Sequence, residues 1–125
     1  MKRDMDLVRK ILLEVEKAEH DLDISRFSYL NENKDVINYH LEMLIERGFI
    51  KGKLHKEWGG NVVCGTIEGL TWEGQDFLEV VRDEGVWMRA KQTISKTVGT
   101  TSLDVLKNTC TAIATAIIKE HLGIS

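Results

Sequence analysis

The residues best suited to chemistry are a run of cations in the middle of the chain. Residues 47–56 carry four positive charges and no Asp or Glu. With the histidine among them, the side chains are Arg47, Lys51, Lys53, His55 and Lys56. Because alternate residues of a β-strand share a face, an extended conformation places Lys51, Lys53 and His55 side by side, where they can bind phosphates. Lysines also guard edge strands against pairing with other chains, and the sequence leaves both roles open.

The preceding segment, residues 34–47, carries candidates for reading bases. Asn38 can hydrogen-bond adenine, and Tyr39 and Lys34 can reach sugar and phosphate. The same segment has two basic and three acidic residues, a net charge of −1. Because Glu42 and Glu46 oppose approach to a polyanion, two hypotheses remain. One is DNA binding, and the other is a protein contact made by the two glutamates with Trp58.

The sequence carries no motif of an enzyme or a metal site. There is no Gly-x-Ser-x-Gly elbow, no phosphate-binding glycine loop and no His-Glu-x-x-His. The four histidines are dispersed, and His55 with Cys64 supplies two ligands, too few to close a zinc site. We therefore expect no catalytic activity, no cofactor and no metal. His40 is predicted to be a partly buried helix residue hydrogen-bonded to the first helix or to the hairpin.

Composition indicates a small globular protein. The chain has 125 residues, 42% of them hydrophobic, with 17 Lys and Arg against 20 Asp and Glu for a net charge of −3. That length suits one domain with an appended helix. No apolar run approaches the ~18 residues of a membrane span, the N-terminus lacks an apolar signal core, and two cysteines make no disulfide framework. We expect a cytoplasmic protein without membrane contact.

Apolar periodicity and capping residues predict the elements. The predicted helices cover 4–18, 34–47, the segment from Thr71 to a break at 83–85, 86–96 and 103–122. Residues 20–33 favour a short strand or extended stretch followed by a turn. Two β-compatible runs around Gly59-Gly60 predict a hairpin, and residues 98–101 predict a linker before a capping Ser102. Trp72 and Trp87 are predicted in the core or an interface, and Trp58 is predicted to be exposed.

This order resembles a winged helix-turn-helix. A helix ending in residues 44–50 (LIERGFI) runs at once into a hairpin, and Leu-Thr-x-x-Gly (70–74) then opens a helix. The resemblance implies an α+β, mostly α fold with a two-stranded wing and extra C-terminal helices. We expect residues 1–97 to form the winged-helix domain and residues 98–125 a C-terminal helix for dimerisation.

Further stretches are similar to an uncharacterised bacterial family of small phage and prophage proteins. They are residues 1–12 (MKRDMDLVRKIL), 38–41 (NYHL) and 70–78 (LTWEGQDFL), with Trp87 and Lys91. The similarity covers essentially the whole chain. It implies a winged-helix fold and a phage or mobile-element setting, and it transfers no catalytic or ligand residues.

The last helix carries an apolar seam spaced by three and four residues. Its members are Leu103, Leu106, Cys110, Ile113 and Ile117. Such a seam packs either on the protein's own first helix or on a second copy, and we expect the homodimer.

The leading hypothesis is therefore a non-enzymatic winged-helix regulator that binds double-stranded DNA. Its contacts are predicted at Lys34, Asn38, Tyr39, Arg47, Lys51, Lys53, His55 and Lys56. The alternative is a protein-interaction module that engages a host or phage protein.

Overall fold

The computed structural model describes residues 1–97 and 102–124, and the predicted linker at 98–101 lies outside the described residues. The chain forms two compact units, Met1–Leu78 and Glu79–Ser125. In chain order the elements are α1 (Met5–Lys17), β1 (Leu22–Asp23), a 3₁₀ helix (Ile24–Leu30), α2 (Lys34–Arg47), β2 (Ile50–Lys56), β3 (Val62–Leu70), α3 (Trp72–Val81), α4 (Glu84–Thr97) and α5 (Leu103–Leu122). The predicted α+β, mostly helical class is confirmed.

Helix α1 begins at a cap and buries one face. The carboxylate of Asp4 accepts the backbone N–H of Leu7 at 3.2 Å, which satisfies one of the free donors of the first turn. Five apolar residues are buried along the helix: Leu7, Val8, Ile11, Leu12 and Val15. The predicted first helix and its capping residue are confirmed.

The segment after α1 departs from the prediction of a short strand or extended stretch and a turn. Only Leu22 and Asp23 are strand, and residues 24–30 form a 3₁₀ helix. The Asp23 carboxylate accepts the backbone N–H of Ser25 at 3.0 Å, which starts the helix, and Phe27 is its one buried residue. Because only one residue of this helix is buried, the sequence shows no repeating pattern of apolar residues that could have predicted it.

Helix α2 has the predicted bounds. The Asn33 side chain accepts the backbone N–H of Asp35, and Gly48 ends the helix in the left-handed region at φ 85°. His40 is fully buried on the core face, so the predicted partial burial is wrong. Its Nδ1 lies 2.7 Å from the Val36 carbonyl oxygen, to which it donates, and its Nε2 accepts the backbone N–H of Asp4 at 2.8 Å. The predicted hydrogen bond to the first helix is confirmed.

Strands β2 and β3 form an antiparallel hairpin, and β1 pairs with the far side of β3, so the sheet order is β1-β3-β2. The base of the hairpin is tied to α3. The Thr71 hydroxyl donates to the Gly48 carbonyl and accepts the backbone N–H of Gly74. A Cβ at Gly74 would lie 1.9 Å from the Phe49 carbonyl oxygen, so only glycine fits there. Phe49 stacks on Phe77, with ring centroids 4.9 Å apart.

The second unit contains α4 and α5, which pack on each other. The Asp83 carboxylate accepts the backbone N–H of Val86 at the start of α4, and Ser102 caps α5 as predicted. Within the chain α4 buries four apolar residues: Val86, Trp87, Ala90 and Ile94. Among the described residues, no helix is long and apolar enough to cross a membrane.

The three tryptophans divide differently from the prediction. Trp87 is buried, and Trp58 at the hairpin turn is fully exposed, as predicted. Trp72 was expected in the core or an interface, but it is 86% exposed, so its place in the core is wrong. It lies five residues before Phe77, which at ~100° per residue turns it about 140° away from the buried side of α3.

Candidate nucleic-acid interface

One face of the hairpin carries the predicted row of basic side chains. Along β2, Ile50 is buried and Gly52 and Leu54 are half-buried, whereas Lys51, Lys53 and His55 are exposed. The strand therefore turns its apolar residues toward the core. We call the three exposed side chains Lys51, Lys53 and His55 the basic face.

Small neutral residues lie opposite the basic face on β3. Lys53 pairs with Thr66, His55 with Cys64, and Lys51 with Gly69. Among the described residues, neither lysine has an ion-pair partner. The register passes over Glu68, which is exposed near the Lys51 end of the hairpin. Both lysine charges are thus available to a ligand.

Lys56 does not share this role in the folded chain. Its ammonium group forms an ion pair with the Glu42 carboxylate of α2, and both side chains are part-exposed. Lys56 follows the strand residues that face the core, so it reaches the helix instead of the basic face. Arg47 is also engaged, because its guanidinium lies over the Phe49 ring, 5.4 Å from the centroid.

The beginning of α2 borders a groove of about 260 Å³. Lys34 and Asn38 line it from the helix, and Cys64 lines it from β3. Tyr39 does not line this groove; its ring meets the His40 ring edge-on, with centroids 5.4 Å apart. Two of the predicted α2 contacts thus share a groove, and Cys64 of that groove is also the cross-strand partner of His55 on the basic face.

Sequence reasoning missed the other polar residues of the groove, Asp23, Ser25 and Ser28. Hydrogen bonds from the Ser25 side chain and backbone lower the pKa of Asp23, so an anion remains in the groove beside Lys34. The sequence signal was the Asp-x-Ser spacing of a capping turn, which we interpreted as extended chain. A carboxylate here disfavours a phosphate in the groove.

The hairpin turn presents an aromatic ring to solvent. The Glu57 N–H donates to the Asn61 carbonyl at 2.9 Å, and the Gly60 N–H donates to the Glu57 carbonyl at 3.0 Å. Gly59 and Gly60 take φ values of 104° and 90°, which side-chain-bearing residues rarely adopt. This turn displays Trp58, whose indole is fully exposed at the His55 end of the hairpin.

Charge over the whole first unit does not favour a polyanion. Residues 1–78 carry 11 Lys and Arg and 15 Asp and Glu, a net charge of −4. Any affinity for nucleic acid must therefore come from the local arrangement of cations. Among the described residues, no group of three His, Cys, Asp or Glu could hold a metal ion.

The predicted dimer residues of α5 differ in exposure. Leu106 and Cys110 are buried within the chain, Leu103 and Ile113 are half-buried, and Ile117 is exposed. Beyond the predicted seam, Ile118 and Leu122 are 57% and 65% exposed. Most of the exposed apolar surface of α5 therefore lies in its C-terminal half, and Val105 is exposed near its start.

Comparison with known proteins identifies relatives of unknown activity. The sequence profile of a family described as "Hypothetical protein (DUF2513)" matches residues 2–101. An "Uncharacterized protein" of Haemophilus influenzae is 28% identical over 124 residues, which cover 98% of this chain and all of the relative. No solved structure matches the chain.

Proposed function

Because the chain belongs to the DUF2513 family of hypothetical proteins, for which no activity is named, we propose a function from its surface: it is a winged-helix protein that binds DNA without catalysis. In this proposal α2 is the recognition helix, the β2–β3 hairpin is the wing, and β1 completes the sheet. The regulatory role and the phage or prophage setting rest on the sequence resemblance. The cytoplasmic location rests on composition.

The observation that carries the proposal is the basic face. Lys51 and Lys53 are exposed side by side without an ion-pair partner among the described residues, in a unit whose net charge is negative. A lysine row that only protects an edge strand remains the competing explanation, since β2 is an edge strand of the sheet. The two explanations differ in whether a polyanion binds.

Salt dependence tests the proposal directly. With Lys56 paired to Glu42, the basic face offers two to three phosphate contacts. Raising the salt from 50 to 200 mM should then weaken binding of a labelled mixed-sequence duplex by about 10- to 40-fold. Fluorescence anisotropy measures this change.

A matched pair of double variants separates the site from net charge. Lys51→Glu with Lys53→Glu should abolish binding. Lys2→Glu with Lys10→Glu makes the same charge change on exposed residues outside the sheet and should retain most of it. Equal loss in both variants, or no binding by the wild type at 50 mM salt, would refute the proposal.

The alternative, a protein-interaction module, is favoured by a different observation. Trp58 and Trp72 are both exposed, and exposed tryptophans are frequent at the centres of protein interfaces. Glu46 is exposed on α2, whereas Glu42 is engaged with Lys56. Under this alternative the Lys51 and Lys53 double variant retains its partner, which co-purification would measure. The homodimer through α5 is part of both proposals.

A further inference from the structure

We infer that the basic face binds an unpaired strand of nucleic acid, with one of its bases stacked on the indole of Trp58. This inference rests on the proposed function for its nucleic-acid ligand and for the hairpin as the binding element. It departs from that proposal in one respect, because the strand lies on the basic face and α2 makes no contact with bases. It is carried by the juxtaposition of three exposed basic side chains and one fully exposed aromatic ring on a single hairpin.

The spacing of the basic face fits one strand of nucleic acid. Alternate residues of a β-strand lie about 6.7 Å apart, which is close to the distance between successive phosphates along a single strand. Lys51, Lys53 and His55 thus match consecutive phosphates. Across β3, the side chains of Thr66 and Cys64 are short and uncharged, so they leave Lys53 and His55 accessible, whereas the carboxylate of Glu68 is exposed near Lys51.

Trp58 supplies what a phosphate-binding row lacks, a surface for bases. Its turn is held by two backbone hydrogen bonds, from Glu57 to Asn61 and from Gly60 to Glu57, so the ring is displayed by an ordered loop. Every base has a flat face that can stack on an indole, which makes the contact independent of sequence. In a duplex those faces are covered by neighbouring base pairs, whereas an unpaired strand offers them directly.

The charges of α2 favour an unpaired strand over a duplex. Binding in the major groove requires α2 to enter between two phosphate backbones. Its exposed acidic residues Asp35 and Glu46 would then meet phosphates, and Lys56 is already occupied by Glu42. Asp23 adds a further carboxylate beside Lys34. A strand that lies along the basic face avoids Asp35 and Glu46 of α2, and the carboxylates nearest to it are Asp23, which pairs with Thr66, and the exposed Glu68.

The test compares one labelled strand of about 20 nucleotides, of mixed sequence, with the same strand annealed to its complement. Anisotropy should show the single strand bound at least tenfold more tightly than the duplex at 50 mM salt. Trp58→Ala should weaken single-strand binding about tenfold or more, as expected for the loss of one stacked base. Trp72→Ala removes an equally large, exposed indole at the other end of the hairpin and should leave binding unchanged.

A second readout follows the ring itself. In a Trp72→Phe background Trp58 is the exposed tryptophan, since Trp87 is buried, and the single strand should quench its fluorescence. Duplex binding as tight as single-strand binding, or a Trp58→Ala variant with wild-type affinity, would overturn the inference and leave the proposed function standing. If neither nucleic acid binds, the proposed function itself fails and this inference falls with it.

Discussion

Replacing Thr71 with valine should unfasten the base of the hairpin while preserving the shape of the side chain. The Thr71 hydroxyl accepts the backbone N–H of Gly74, which caps α3, and donates to the carbonyl of Gly48, which ends α2. Loss of an N-cap costs about 1 kcal/mol, and loss of the second, part-buried hydrogen bond costs about 1 kcal/mol more. We expect the free energy of unfolding to fall by about 2 kcal/mol.

Urea denaturation followed by far-ultraviolet circular dichroism measures this loss, with Thr71→Ser as the matched control. Serine keeps both hydrogen bonds and removes one methyl group, so it should cost less than about 1 kcal/mol. If the slope of the free energy of unfolding against urea concentration is unchanged, the variants differ in stability alone. A valine variant as stable as the wild type, or a serine variant as unstable as the valine variant, would refute the claim that the two hydrogen bonds of the Thr71 hydroxyl stabilise the fold.

The remaining predictions concern pH and assembly. The hydrogen bond that Tyr29 donates to the Glu14 carboxylate is the main cause of the lowered pKa of Glu14. Burial, and after it the same hydrogen bond, raises the pKa of Tyr29 to about 12. The Tyr29–Glu14 hydrogen bond therefore stabilises the fold at pH values above the unfolded pKa of Glu14 and below the unfolded pKa of Tyr29. This stabilisation is lost as pH falls through the lowered Glu14 pKa or rises toward 12. Tyr29→Phe should lower the free energy of unfolding near pH 7 by less than about 1 kcal/mol, because the tyrosine is largely exposed. In acid the variant should be as stable as the wild type, and a loss of stability that persists in acid contradicts this prediction. The double variant Ile118→Asp with Leu122→Asp should convert a dimer to a monomer in analytical ultracentrifugation, whereas Thr111→Asp should not; a wild type that is monomeric at high concentration ends the dimer proposal.

The long helices could be predicted because their local signals agree. The segment 34–47 has an apolar stripe, a cap in Asn33 and a left-handed glycine in Gly48, and α2 has these bounds in the structure. The 3₁₀ helix at 24–30 has a single buried side chain and one capping turn, so its sequence is indistinguishable from a loop. Trp72 shows a second limit of sequence-based prediction. Its hydrophobic side chain suggested burial, but its position places it on the exposed side of α3.

The candidate site could be predicted only as far as strand alternation reaches. The exposure of Lys51, Lys53 and His55 follows from the period of two along β2. The pairing of Lys56 with Glu42 does not, because the two residues are 14 apart in the chain and meet only when the hairpin packs beside α2. The groove beside Lys34 was also hidden, because its lining residues Ser25 and Ser28 belong to the 3₁₀ helix.

The number of usable cations decides how this surface can bind. Of the four cations in residues 47–56, Lys56 pairs with Glu42 and Arg47 lies over Phe49, which leaves Lys51 and Lys53, with His55 beside them. Two or three phosphate contacts give weak, salt-sensitive binding on their own. An indole fully exposed at the end of the same row adds a contact that salt does not screen. The Lys51 and Lys53 double variant and Trp58→Ala should therefore differ in kind: the first abolishes binding, and the second lowers affinity at every salt concentration while leaving the salt dependence of binding intact.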